Sequence, residues 1–232
     1  MNNSFATIKR WRVQIFAITW LAYAAFYFTR KAFSVAKLGI ADDPGFHLDK
    51  MAMANLDAIY LAAYAVGQFT WGILADRFGP RVVVLGGLII SALAALVMGT
   101  YATLPIFATC MLIQGLAQST GWSGLCKNIG SFFPAQQRGR VLGLWSSCYA
   151  FGGLVASPFA GWWAYTLIGS WHAAFISSAA VVAVVAADRR QPLAAPVQPD
   201  DAVVDAPVPR RCGLGGQPVR QGGRRVGELP RP

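Results

Sequence analysis

The sequence predicts an all-α membrane protein with six transmembrane helices, and three observations carry that prediction. First, 55% of the 232 residues are hydrophobic and only 13% are charged, whereas soluble domains carry about 25% charged residues. Second, the apolar residues lie in serial blocks long enough to cross a bilayer. Third, basic residues collect in alternate connections between these blocks, which is the asymmetry that orients membrane proteins.

The apolar blocks define the six predicted spans. A helix rises about 1.5 Å per residue, so a hydrocarbon core of about 30 Å takes roughly 20 apolar residues. Five blocks meet this length, at about residues 11–35, 55–74, 82–101, 105–125 and 141–167. A sixth block, at about residues 172–187, is short for a span. The first block is longer than the apolar core of a signal peptide and contains Arg30 and Lys31, so we expect it to remain as a helix.

The distribution of charge predicts the orientation. One side carries the basic residues that precede the first block or occupy the second-to-third and fourth-to-fifth connections, namely Lys9, Arg10, Arg12, Arg77, Arg81, Arg138 and Arg140. The other side carries Lys37 and Lys50 in the connection after the first block, where three aspartates offset them. We therefore expect a cytoplasmic amino terminus in a cell inner membrane. The net charge of +10 is then largely a topology signal, and nucleic acid is not an expected partner.

The chain divides into residues 1–187, a six-span half-bundle, and residues 188–232. The second segment has no apolar block and is rich in proline, glycine and arginine, so it cannot bury enough surface to offset its ordering entropy. We expect a disordered cytoplasmic tail. One interpretation is a basic segment that touches anionic lipid; the favoured one is out-of-frame sequence, which translation of the downstream DNA in other frames would test.

Four ionisable residues lie inside or at the edge of the apolar blocks: Arg30, Lys31, Asp57 and Lys127. A charge near the bilayer centre costs about 2.5–3.5 kcal/mol on insertion scales, so such residues snorkel, form ion pairs or face an aqueous cavity. Arg30 follows aromatic residues that include Tyr27, and its planar fork of donors suits a phosphate. Phosphate binding and a structural ion pair both remain open for Arg30, as do ligand and ion-pair roles for Lys127. For Asp57 we expect pairing with a nearby cation.

Catalytic and metal chemistry have no residue pattern to support them. His47 and His172 both lie at span boundaries, and the four cysteines show neither metal-ligand spacing nor a disulfide framework. The glycine-rich stretches lack the Lys-Ser/Thr ending of a phosphate loop. We therefore expect no enzymatic activity, no metal and no cofactor.

The stretch Gly72-Ile-Leu-Ala-Asp76-Arg77-Phe-Gly-Pro-Arg81 resembles the signature loop between the second and third helices of the major facilitator superfamily. Its position between two predicted spans implies the amino-terminal six-helix half of that fold. Two further stretches, Tyr27 to Ser34 and Gln118 to Ser146, resemble the organophosphate:phosphate antiporters of this superfamily.

That resemblance implies exchange of a phosphorylated organic solute, such as glycerol-3-phosphate or a sugar phosphate, for inorganic phosphate. It assigns the substrate phosphate to Arg30 and extends the substrate site to Tyr27, Gln68, Lys127 and Tyr149. Gln68 stands where glycerol-3-phosphate transporters have a lysine and Tyr149 where they have a histidine, which argues against that substrate. The remaining charges are expected in gating or ion pairs: Lys31, Asp57, Asp76, Arg77, Arg81, Arg138 and Arg140.

Facilitator transporters bind substrate between two six-helix halves, so we expect this chain to be inactive unless it meets a carboxy-terminal half or a second copy. The other expected partners are the substrate, inorganic phosphate and membrane lipid. Two alternatives remain open. One is a membrane sensor of sugar phosphate that signals to a kinase, and the other is a non-functional pseudogene product.

Overall fold

The computed structural model describes residues 2–133 and 135–187, and these residues are helical without any strand. The helices are α1 (Asn2–Ala41), α2 (Lys50–Phe78), α3 (Pro80–Thr100), α4 (Leu104–Phe132), α5 (Ala135–Trp145), α6 (Ser147–Gly161), a π-helical segment (Trp162–Ile168) and α7 (His172–Ala187). Helices α1 to α4 are the first four predicted spans. The fifth span comprises α5, α6 and the π-helical segment, and α7 is the sixth. The prediction of an all-α, six-span fold is confirmed.

The end of the first span differs from the prediction. The apolar block stops near residue 35, but α1 continues to Ala41, so the placement of Lys37 in a loop was wrong. Residues 36–41 are mostly alanine, lysine, leucine and isoleucine, all compatible with a helix. A single charge ends a hydropathy block without ending the helix. The physical end of α1 comes with Asp42, Asp43 and Pro44.

The second and third spans are joined by one residue. Gly79 has φ 82° and ψ 147°, and its amide donates to the carbonyl of Ala75. Such a positive φ favours glycine. Pro80 then begins α3, where its missing N–H costs nothing because the first helical amides have no partner within the helix. Glycine followed by proline thus produces the abrupt reversal between α2 and α3.

A tyrosine side chain of the fifth span forms hydrogen bonds with backbone groups of the first span. The hydroxyl of Tyr165, in the π-helical segment, donates to the carbonyl of Val35 at 2.8 Å and accepts from the amide of Gly39 at 3.1 Å. An unperturbed α-helix pairs these two backbone groups directly with each other. Tyr165 therefore bridges one turn of α1.

Two large apolar clusters fill most of the bundle, and polar side chains lie between them; a third, smaller cluster contains Ala160, Ala164 and Ala174. On α1, residues 22–26 belong to one cluster, whereas Ala32, Phe33, Ala36 and Ile40 belong to the other. The buried hydroxyl of Thr29 lies between the two clusters along α1, and the buried amide of Gln118 lies between them along α4. The buried hydroxyl of Ser91 on α3 is within hydrogen-bond distance of both, at the edge of the first cluster. The interior is thus apolar towards both ends and polar midway, at the level of Arg30.

By length and composition, two of the described helices are apolar enough to cross a membrane: α2, with a mean hydropathy of 1.3, and α3, with 2.6. Helix α7 is apolar but shorter. Helix α1 is interrupted by Arg30, Lys31 and two tyrosines, which lower its average, and the fifth span is divided into short helices. Composition alone therefore selects fewer spans than the fold contains.

Glycine allows α4 to approach α2 closely. A Cβ atom at Gly115 would lie 2.8 Å from the Cβ atom of Ala63 and 3.0 Å from the amide nitrogen of Tyr64, and it would also collide with the Tyr60 carbonyl. Small residues at such contacts let membrane helices pack without a hydrophobic force between them. Gly115 therefore sets the spacing of the two helices beside Tyr60 and Tyr64.

Gly115→Ala is expected to destabilise the bundle by about 1–3 kcal/mol, because the new methyl group meets backbone atoms that cannot rotate away. The matched control is Gly86→Ala, since a Cβ atom at Gly86 meets nothing within 4 Å. The control should be neutral or stabilising by up to about 1 kcal/mol through helix propensity. Thermal unfolding in detergent, followed by circular dichroism, measures both. Equal unfolding temperatures for the two variants would contradict the packing assignment.

The connection after α1 is joined to the start of α7 through Asp43. The indole Nε1 of Trp171 donates to Oδ2 of Asp43 at 2.7 Å, and the amide of Gly45 donates to Oδ1 at 2.8 Å. These hydrogen bonds, that from Trp171 foremost, lower the pKa of Asp43 below its ordinary value. The carboxylate is therefore favoured in the folded protein.

The lowered pKa of Asp43 predicts an acid-dependent loss of stability. The unfolded chain takes up this proton at a higher pH than the folded chain, so stability is complete above the ordinary pKa of about 4 and falls as the pH drops through the lowered value. Asp43→Asn should lack this component. Unfolding temperatures of both proteins between pH 7 and 3 measure the difference. Parallel curves over the whole range would show that the contact carries no pH-dependent stability.

Candidate functional site

Arg30 lies on α1 between the two apolar clusters, and three tyrosines surround its guanidinium. The Cζ atom is 5.1 Å from the ring centroid of Tyr27, 5.4 Å from that of Tyr60 and 4.7 Å from that of Tyr64. Tyr60 and Tyr64 come from α2, one helical turn apart. The negative faces of aromatic rings attract a cation, so these rings offset part of the cost of a positive charge inside the bundle. We call Arg30 and the three tyrosines the arginine cage.

Two hydrogen bonds orient the guanidinium within the cage. Nε donates to the hydroxyl of Tyr60 at 2.5 Å, and Nη1 donates to the hydroxyl of Tyr27 at 3.3 Å. A guanidinium has five N–H donors, and its other donors have no hydrogen-bond partner among the described residues. Among the described residues, Asp57 forms a salt bridge with Lys37. Within that part of the chain, the charge of Arg30 is therefore met by aromatic rings and hydroxyls and not by a carboxylate.

The hydroxyl of Tyr60 continues into the buried polar layer. It donates to Oε1 of Gln118 at 2.8 Å. The Nε2 group of Gln118 donates to Thr29 at 3.1 Å and to Ser91 at 3.2 Å, and these two hydroxyls lie 2.8 Å apart. The arginine cage is thus linked to side chains from four helices.

Aromatic side chains flank the cage on the side of the first apolar cluster. The ring of Tyr23 lies 5.9 Å from that of Tyr27, 5.7 Å from that of Trp122 and 5.3 Å from that of Trp145. Gly121 provides room for this packing, because a Cβ atom there would meet the rings of Phe26 and Tyr23 at 2.9–3.2 Å. These contacts join α1 to α4 and to the fifth span.

The structure brings together two of the predicted substrate-site residues, Arg30 and Tyr27. Gln68 lies on α2, two turns beyond Tyr60 and on the same face, with its side chain partly buried. Tyr149 lies in the first turn of α6, and 49% of its surface is exposed. Neither residue contacts the guanidinium. The backbone of Lys127 belongs to α4, but its side chain lies outside the part of the chain that the structure describes.

Lys31 and Asp57, two of the predicted ion-pair residues, lie near the cage but do not pair with each other. The side chain of Lys31 passes α6, with its Cε atom 3.8 Å from where a Cβ atom would stand at Gly153. Asp57 forms its ion pair with Lys37, whose ammonium lies 4.9 Å from the ring centroid of Phe33. The Lys37 and Asp57 side chains are 28% and 46% exposed, so solvent weakens this pair.

The other predicted gating charges lie at helix ends. Asp76 and Arg77 are in the last turn of α2, roughly 24 Å along that helix from Tyr60, and Arg81 is in the first turn of α3. Arg77 lies over the ring of Phe78, with 5.8 Å between Cζ and the centroid.

In the fifth span, Arg138 and Arg140 are exposed on α5. The Nε group of Arg138 donates to the carbonyl of Phe133 at 2.9 Å. This contact lies at the start of the span, beside the end of α4.

Sequence reasoning missed Tyr60, Tyr64 and Gln118 as site residues. The sequence did contain a signal for the two tyrosines, because Tyr60, Tyr64 and Gln68 recur every four residues on one face of α2. A glutamine inside an apolar block, as at residue 118, also indicates a buried polar contact, because lipid cannot satisfy an amide. Neither signal identifies Arg30 as the partner, since that depends on how the helices pack.

Chemically, the arginine cage suits an anion with several oxygens. The guanidinium is oriented by two hydrogen bonds, keeps N–H donors unused among the described residues, and is half-buried among aromatic side chains. A phosphate monoester can accept two such donors at once, and charge neutralisation would then occur inside the bundle. The cage contains no nucleophile paired with a base, so binding is the chemistry that its geometry supports.

Comparisons with known proteins agree on one family. A family model described as Major Facilitator Superfamily matches residues 19–219. The "Probable hexose phosphate transport protein" of Chlamydia muridarum is 31% identical over 161 residues, covering 66% of this chain and 35% of the relative. The human "Sugar phosphate exchanger 3" is 29% identical, covering 64% and 36%, and the "Phosphoglycerate transporter protein" of Salmonella typhimurium is 29% identical, covering 78% and 39%. The chain thus spans about a third of the length of these relatives.

Among solved structures, the chain is similar to the xylose transporter of E. coli in its inward-open conformation. The TM-score is 0.56 at 18% sequence identity, and the match covers 75% of this chain and 47% of the transporter. This likeness concerns the fold alone.

Proposed function

Because the chain belongs to the Major Facilitator Superfamily, as the resemblance of its motifs predicts, we propose that it supplies the phosphate-binding half of a transporter for phosphorylated organic solutes. Membership makes it a multi-pass membrane protein of a transporter family, not of an enzyme class. The observation that carries the proposal is the arginine cage, in which a guanidinium inside the bundle is oriented by tyrosines and meets no carboxylate among the described residues.

The names of the relatives support a phosphorylated substrate. They describe transport of hexose phosphate, sugar phosphate and phosphoglycerate, whose organic parts differ while the phosphate monoester is shared. A single arginine that recognises the phosphoryl oxygens explains such a shared requirement. Gln68 and Tyr149, which line up with a lysine and a histidine of glycerol-3-phosphate transporters, argue for a sugar phosphate over glycerol-3-phosphate.

Exchange for inorganic phosphate follows from the same chemistry. Inorganic phosphate presents the oxygens that a phosphate monoester presents, so both anions compete for Arg30. An empty cage leaves one positive charge unneutralised inside the membrane, which is costly. Either anion would neutralise that charge and lower the free energy of reorientation. Net movement of an empty carrier is then disfavoured relative to exchange.

Residues 1–187 form the six-span unit in this proposal, and residues 188–232 a separate segment. Transport requires a second six-helix half that completes the site near the bilayer midplane, supplied by a carboxy-terminal half or a second copy. Lys31 and the loop charges then serve gating or ion-pair roles, and Lys127 serves either in the substrate site or in an ion pair. The protein resides in the cell inner membrane with its amino terminus in the cytoplasm.

Arg30→Lys is expected to weaken binding of inorganic phosphate roughly tenfold or more, because lysine keeps the charge but loses the planar fork. The chain is purified, placed in lipid nanodiscs and titrated with phosphate while tryptophan fluorescence is followed, since Trp122 packs near the cage. The control is Arg140→Lys, at an exposed position on α5, which should bind as the unaltered chain does. Titration with glucose 6-phosphate and glucose should show preference for the phosphorylated sugar.

Equal affinity for the two sugars, or absence of phosphate binding by the unaltered chain, would overturn the proposed function.

Alkaline phosphatase fused after Gly45 should be active, and the same enzyme fused after Gly79 should be inactive, because the basic α2–α3 connection stays in the cytoplasm. Arg77→Gln should raise the activity of the second fusion, since that charge carries part of the topology signal. Colony assays and cell fractionation measure both fusions. The reverse pattern of activity would refute a cytoplasmic amino terminus.

A further inference from the structure

We propose that Gln118 is a positioning residue that fixes the direction of Arg30 through the hydroxyl of Tyr60, so that phosphate meets the two terminal nitrogens of the guanidinium. This inference rests on the proposed function and adds to it a residue that touches neither the substrate nor Arg30. Its basis is the hydrogen-bonding capacity of each group along the series Arg30–Tyr60–Gln118.

The first step concerns the Tyr60 hydroxyl, which has one proton to donate. The Nε–H group of arginine can only donate, so the oxygen of Tyr60 accepts from Arg30 at 2.5 Å. The proton of Tyr60 must then go to a different acceptor. Oε1 of Gln118, at 2.8 Å, is that acceptor. Without it, the hydroxyl proton would turn elsewhere and the oxygen lone pairs would rotate away from Nε.

The second step concerns the amide of Gln118, which is 2% exposed. Its Nε2 group donates to Thr29 and Ser91, from α1 and α3. The hydroxyl of Thr29 in turn lies 3.2 Å from the carbonyl of Phe26, which can only accept. A flipped amide would direct an N–H group at the Tyr60 oxygen and take away the oxygen that accepts the Tyr60 proton. The surrounding groups therefore select the amide orientation that presents oxygen to Tyr60.

The third step concerns the guanidinium itself. Since Nε is engaged with Tyr60 inside the bundle, the side of the guanidinium that contains Nε is closed to a ligand. The Nη1 and Nη2 groups remain as the pair that can hold two phosphoryl oxygens, with Tyr27 as a long contact of Nη1 at 3.3 Å. Gln118 thus determines which edge of the fork faces the anion.

A double-mutant cycle on phosphate affinity tests this chain of contacts in the 232-residue chain in nanodiscs. Tyr60→Phe removes the hydroxyl, and Gln118→Met removes the amide at similar volume. Each should weaken phosphate binding about five- to twentyfold. If Gln118 acts through Tyr60, the double variant should bind within about twofold of Tyr60→Phe alone, because the second change removes nothing further. Multiplicative effects of the two changes would overturn the inference.

The matched control is Gln114→Met, one helical turn away on α4. Gln114 is 1% exposed and contacts the Ser91 carbonyl at 3.5 Å, not Tyr60. Both glutamine variants should unfold at lower temperature, since each loses a buried amide. Only Gln118→Met should change phosphate affinity by more than about twofold. Equal losses of affinity in the two variants would show a structural role without positioning.

A second measurement needs no ligand. In ¹⁵N-arginine-labelled protein, the Nε–H signal of Arg30 is assigned by its absence in Arg30→Lys, and its hydrogen exchange should be slow. Tyr60→Phe and Gln118→Met should accelerate that exchange tenfold or more, and Gln114→Met should not. If the unaltered chain shows this pattern but binds no phosphate, the positioning stands and the proposed function fails. If it binds phosphate and Gln118→Met leaves both exchange and affinity unchanged, the function stands and the inference fails.

Discussion

The structure depends on how one guanidinium is accommodated within a bundle of apolar helices. Lipid offers no hydrogen bonds and little screening, so a positive charge at this depth must be met by groups that the protein itself supplies. Here those groups are tyrosines: three tyrosine rings approach the cation, and two of their hydroxyls accept hydrogen bonds from it. A carboxylate would have neutralised the charge permanently. Tyrosines lower its cost without neutralising it, so the site remains able to respond to an anion.

Helix packing serves this arrangement. The tyrosines of α2 reach α1 because α4 approaches α2 at Gly115 and α3 approaches α4 at Gly87, where a Cβ atom would collide with Thr120 and with the Ala117 carbonyl. In the polar layer, Tyr60, Gln118 and Ser91 hydrogen-bond across helices, and Thr29 also lies within hydrogen-bond distance of the Phe26 carbonyl on its own helix. The buried polar contacts therefore require the close backbone approach, because hydroxyls and amides on different helices meet only when the helices are near.

Much of the fold could be predicted from the residues, and less of the site. Span number follows from block lengths, and the α2–α3 reversal follows from Gly79 and Pro80. Arg30 stood out because charge is costly in lipid, which is a property of one position. Tyr60, Tyr64 and Gln118 matter only in relation to Arg30, and that relation depends on the rotation of three helices about their axes. No local periodicity encodes such rotations. The misplaced end of α1 has a similar origin: hydropathy marks where lipid contact ends, whereas Lys37 shows that the helix itself continues into an ion pair.

The hydrogen bonds of Tyr165 to α1 depend on the identity of the residue in the fifth span much more than on the residues in the first span. The first span contributes only main-chain atoms to it, so nearly any side chain along that turn leaves the attachment intact, with Gly39 the exception because a Cβ atom there would crowd Trp171. The fifth span contributes a single phenolic oxygen, which phenylalanine cannot replace. Mutational tolerance should therefore be broad on one partner and narrow on the other, and a covariation search would find no pair of co-evolving positions at a contact that nonetheless ties the two helices together.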